Sequence, residues 1–88
     1  MLYEKMRSLI SENDRRLVNA AVCQPPSGTP RTYFFWAYAK ASAAADAADA
    51  VTAAKLEEDA RRNLRMGYSL GVPPGWEGVA AAWEGVAQ

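Results

Sequence analysis

Apolar positions near the amino end, Leu2, Met6, Leu9, Ile10, Leu17, Ala20 and Ala21, recur at spacings of three and four, with Asn13 interrupting the stripe. That period is the mark of an amphipathic helix, and it predicts one over 2–23. Glu12 stands three and four positions before Arg15 and Arg16, which adds i,i+4 support on the outer face. A rival reading breaks this helix at Ser11, because Ser-Glu-Asn-Asp has the form of a capping box with Ser11 as N-cap and Asp14 at its third position. The continuous helix is preferred. The next residues, 24–29, hold Pro25, Pro26, Ser27 and Gly28, a composition that ends one helix and turns the chain back.

A second helical pattern runs over 30–66. Thr29 and Pro30 supply an N-cap hydroxyl and a first helical residue with a preset φ, and Gly67 follows as a stop signal. Neither Pro nor Gly falls between, and alanine fills the middle. Such a helix would be about 55 Å long, at ~1.5 Å per residue, so it must bend, break or find a partner copy. A kink is expected near Val51 and Thr52, where β-branched residues weaken the helix and the apolar stripe changes face. Ala43, Ala47, Ala50 and Ala54 form a smooth stripe suited to close helix packing, and Ala53, Leu56, Ala60 and Leu64 continue below it. Tyr33, Phe34, Phe35, Trp36 and Tyr38 open the helix and point all round it, so no single contact can cover them.

The pattern then changes. Residues 67–75 contain Gly67, Gly71, Pro73, Pro74 and Gly75 and read as an ordered crossing in which Tyr68, Leu70 and Val72 alternate. The pentad Trp-Glu-Gly-Val-Ala follows twice, seven residues apart, which places Trp76 over Trp83 and Val79 over Val86 on one side of a short helix over 76–87. Gly78 and Gly85 weaken that helix, so packing has to hold it. The predicted architecture is all-α: a single domain over 1–88, a small helical hairpin or three-helix bundle with one long Ala-rich central helix and a short carboxyl-terminal helix carrying tryptophan.

Composition narrows the function more than it specifies one. Half the residues are apolar, but eighteen are alanine, so larger side chains such as the aromatics must make the core. Ten basic and ten acidic residues balance, which removes the electrostatic ground for expecting nucleic acid or an anionic membrane as partner. Glu57 and Glu58 precede Arg61 and Arg62 by one turn, a salt-bridged outer face rather than a phosphate-binding patch. There is no His, and Cys23 is the one cysteine, so no ordinary zinc site, internal disulfide or activated thiol is expected. No phosphate loop or secretory leader is visible, and no apolar run reaches the length of a membrane span. A cytoplasmic protein without metal or cofactor is the expectation.

The function that follows is non-enzymatic. The chain is expected to be a small helical protein–protein interaction module, an adaptor or an inhibitor of the kind encoded by phages and mobile elements, which binds a protein partner and occludes it. A self-assembling structural subunit is the alternative, and a DNA-binding regulator a weaker third. A homodimer through the Ala-rich helix is expected because that helix has more apolar circumference than one hairpin covers. Candidate partner-binding residues are Asp46 and Asp49, which lack basic neighbours one turn away, and the paired indoles Trp76 and Trp83. Against the last pair stands the reading in which both tryptophans close the core over the aromatic cluster.

Overall fold

Ser11 breaks the first helix. The computed structural model describes residues 2–23 and 28–79. Within them α1 spans Leu2–Leu9 and α2 spans Glu12–Ala21. Ser11 is extended, and its Oγ accepts a hydrogen bond from the Asp14 N–H at 3.1 Å. The expected continuous helix over 2–23 is thus two helices, because a side-chain cap at the break compensates the backbone bonds lost there. The break also resets the buried stripe. Met6, Ile10 and Val18 are buried, whereas Leu9 and Leu17 remain about two-fifths exposed (41 % and 38 %).

The expected long helix over 30–66 is likewise two: α3, Pro30–Ala45, and α4, Ala50–Leu70. The interruption lies at the two aspartates rather than at Val51. Asp46 closes α3, its N–H directed to the carbonyls of Ser42, Ala43 and Ala44. Asp49 opens α4: its Oδ1 accepts from the Thr52 N–H at 2.8 Å and its Oδ2 from the Thr52 hydroxyl at 2.9 Å. Aspartate competes with the helical backbone from within and stabilises it from the N-cap, so a helix otherwise rich in alanine stops and restarts here. The short connection turns α4 back along α3, and the end of α4 meets the start of α3 where Gly67 approaches Phe34 and Tyr33. A rod of about 55 Å becomes a hairpin in a molecule of 34 × 31 × 23 Å.

That geometry makes α3 the central helix. It packs on α4 and also on α1 and α2. Phe34, Phe35, Ala37, Tyr38, Ala41 and Ala44 are buried on it, which answers the aromatic crowding around its circumference. The buried alanines are Ala37, Ala41 and Ala44 on α3 and Ala60 on α4; of the expected stripe of Ala43, Ala47, Ala50 and Ala54, Ala47 is half-buried and the other three are exposed. Folding back changed which side of each helix faces the other. Leu64 completes the lower part of the core, with Leu56 half-buried.

Gly67 does not end a helix. It sits buried inside α4, where a Cβ would fall 2.8 Å from Phe34 Cδ2 and 3.1 Å from Tyr33 Cβ. Only a residue without a side chain allows this approach. The stop comes four residues later at Gly71, whose φ of +129° suits glycine, so Tyr68 and Leu70 are helical and the crossing begins at 71. Pro73 is buried, the Trp76 N–H closes a turn onto the Pro73 carbonyl at 3.1 Å, and helical backbone resumes over 77–79. The described residues are all-α, with no strand among them, and no helix among them is long and apolar enough to cross a membrane.

Candidate interaction surface

The carboxyl-terminal segment is anchored by its first tryptophan. Trp76 is fully buried, its ring edge-on to Phe34 and tilted against Phe35, each with centroids 5.6 Å apart. The aromatic cluster expected at the start of α3 and this indole therefore form one core. Val79 is buried beside them, while Gly78 lies over Leu9, where a Cβ would be 3.5 Å from Cδ2. At the rim the Gly75 N–H donates to Glu77 Oε2 at 3.0 Å. Asp14 lies under this turn and is mostly buried, with its Oδ1 3.6 Å from an Arg31 guanidinium nitrogen. The same guanidinium stands 5.4 Å over the Phe35 ring, so its charge is shared between a carboxylate and a π face. Trp76 Nε1 has no hydrogen-bond partner among the described residues, so apolar contact holds the ring.

The candidate residues named from the sequence do not converge. Asp46 and Asp49 lie at the α3–α4 turn, about 16 Å along α3 from Phe35 at 1.5 Å per residue, and both are exposed. The side-chain cap accounts for Asp49, an aspartate with no place in a helix interior, whereas Asp46 closes α3 through its backbone N–H alone. The Thr52 backbone and hydroxyl bonds hold the Asp49 carboxyl below the ordinary carboxylate range. Trp76 belongs to the core, and Trp83 lies outside the described residues.

Val51, at the start of α4, is 79 % exposed by itself, and a group of accessible apolar side chains lies at the other end of that helix. Met66 and Leu70, one turn apart on the same face, are 46 % and 48 % exposed, with Tyr68 and Val72 partly exposed nearby in sequence. Sequence reasoning missed this surface because it ended the helix at Gly67, which separated Met66 from Leu70 and laid Leu70 across the bundle. The outer side of α4 is charged. Arg61 pairs with Glu57 at 3.2 Å as expected from the spacing, but Glu58 engages Arg65 at 3.3 Å, two turns on, instead of Arg62. Arg16 pairs with Glu12 at 3.2 Å on α2. Ion pairs as exposed as these contribute little to stability and leave a surface of mixed sign.

No group of three or more His, Cys, Asp or Glu side chains among the described residues is placed to hold a metal ion. Cys23 is exposed, and its thiol sits 3.7 Å from the Asn19 carbonyl. Comparison with protein-family models, with curated proteins and with solved structures finds no significant match.

Proposed function

We propose that this chain is a non-enzymatic protein–protein interaction module, a small adaptor or inhibitor that acts by covering part of a protein partner. The observation that carries the reading is the pair Met66 and Leu70, two large flexible apolar side chains left nearly half exposed on a helix that buries Ala60, Leu64 and Gly67. Methionine and leucine one turn apart are the kind of anchors with which a helix engages an apolar groove. The charged residues beside them, of both signs, would set orientation and exclude wrong partners rather than draw in a polyanion. An origin in a phage or mobile element agrees with the small size and is part of the same proposal.

A homodimer through the Ala-rich segment stays part of the proposal: the two helices α3 and α4 pack on each other, and Ala43, Ala50 and Ala54 of the expected stripe remain exposed. The self-assembling subunit is the alternative. The test replaces Met66 and Leu70 together by Lys and uses the tagged protein to capture partners from the lysate of its host. The exchange should abolish specific capture while leaving the thermal midpoint within a few degrees of the parent, since neither residue belongs to the core. Capture that survives the exchange refutes the assignment of this surface. Light scattering that shows large concentration-dependent assemblies would favour the structural subunit.

A further inference from the structure

The pentad at 76–80 is repeated without change at 83–87. The seat of the first copy contacts residues that both copies possess: an indole against Phe34 and Phe35, a glycine over Leu9, and a buried valine. Because Trp76 Nε1 has no partner among the described residues, no hydrogen bond from the indole ties the seat to one register. We infer that this seat is a binding site for the pentad itself, and that 83–87 is its second ligand, exchanging with 76–80 within the same chain.

Two differences between the copies set their ranking. Leu70 ends α4. The first copy is joined to it by the five residues 71–75, and the second would be joined by the twelve residues 71–82. Closing the longer loop is roughly fourfold less favourable, from the three-halves power of the length ratio. The residue before the seated tryptophan is Gly75 at φ +90°, and in the second register it is Ala82. A left-handed conformation costs a residue with a Cβ a factor of roughly 5 to 30. Together the two terms favour the first copy by roughly 20- to 100-fold, so it is the resident and the second the reserve. A chain with a reserve can release Trp76 to a partner without leaving its own core empty. That use rests on the interaction reading, but the exchange itself does not.

The experiment measures thermal unfolding of the full chain in five forms: parent, W83A, W76A, W76A/W83A and W76A/A82G. The parent and W83A should unfold together, because the reserve is seldom seated. W76A should remain folded with a lower midpoint, and adding W83A to it should lower the folding constant by roughly a further tenfold or more, since a Trp-to-Ala change empties the seat. Adding A82G to W76A should instead raise the folding constant, by roughly 5- to 30-fold, through relief of the left-handed alanine. These midpoints should not depend on protein concentration. The exchange is overturned if W76A and W76A/W83A behave alike, including if neither folds, or if W83A costs the same in both backgrounds. It is also overturned if A82G gives no gain, or if the W76A midpoint depends on concentration, which would put the second copy in a neighbouring chain. None of these results bears on capture through Met66 and Leu70, so the two proposals can fail separately.

Discussion

Replacing Gly67 by Ala sets two effects of opposite sign against each other, and the geometry decides between them. In the interior of a helix the exchange should stabilise by about 1 kcal/mol, because alanine loses less backbone freedom on folding. At this position the new methyl would lie 2.8 and 2.9 Å from the Phe34 ring and 3.1 Å from Tyr33 Cβ. Phe34 is 1 % exposed and its ring is already set edge-on to Trp76, so it cannot swing aside without disturbing the indole. Either the ring leaves its place or α4 moves off α3. Overpacking of this kind costs typically 1–3 kcal/mol, and the rigidity of the neighbours places this case near ~3. The expected net loss is ~2 kcal/mol, a fall in Tm of about 8–16 °C for a domain of this size. Circular dichroism during heating and during urea unfolding measures it. Gly78→Ala is the control, since its Cβ would meet Leu9 only at ordinary distance, 3.5 Å, and the exchange should be neutral or stabilising. In a Phe34→Leu background the Gly67→Ala cost should shrink, because a smaller side chain vacates the contact. A Gly67→Ala chain as stable as the parent would refute the close approach of α3 and α4 at this point.

Two predictions concern titration. The Asp49 carboxyl is held low by the Thr52 N–H and then by the Thr52 hydroxyl; a depressed carboxylate contributes stability that is present above its unfolded pKa, near 3.8, and is lost as pH falls through the folded value. Asp49→Ala should lower Tm at neutral pH, whereas Asp49→Asn, which retains the capping oxygen, should keep most of it and flatten the acid limb of the pH–Tm curve; equal acid limbs in parent and Asn variant would count against the cap. Tyr38 is pushed up to about 12 from 10.0, first by burial and then by the hydrogen bond and charge of Tyr3, whose ring lies 5.5 Å away. A raised tyrosine favours the fold up to the unfolded value and loses that contribution as pH rises through the folded one, so stability should fall between about pH 10 and 12. Tyr38→Phe should weaken that alkaline decline, and ultraviolet titration of the phenols should find one that ionises late.

Local chemistry and periodicity are sufficient to establish from the sequence that the chain is helical, that Pro30 begins a helix, and that the turn-forming residues near 24–29 separate two helical arms. They also place the aromatic cluster and Trp76 in contention for one core. These features are legible because each depends on a few neighbours: a cap, a missing N–H, a run of strong helix formers. The breaks at Ser11 and at Asp46 to Asp49 were written in the same local language, yet they competed with longer periodic patterns that favour continuity. A break is chosen only when the folded-back arm gains more by packing than it loses in helical hydrogen bonds, and that gain belongs to the tertiary structure. Gly67 shows the limit most clearly. Its sequence context is that of a helix stop, and only the arrival of Phe34 across the hairpin makes it a packing residue and carries α4 on to Leu70. The same event settles which alanines are covered and leaves Met66 and Leu70 exposed together. Which residues face outward depends on contacts between segments some thirty positions apart, a distance over which a helical period carries no information.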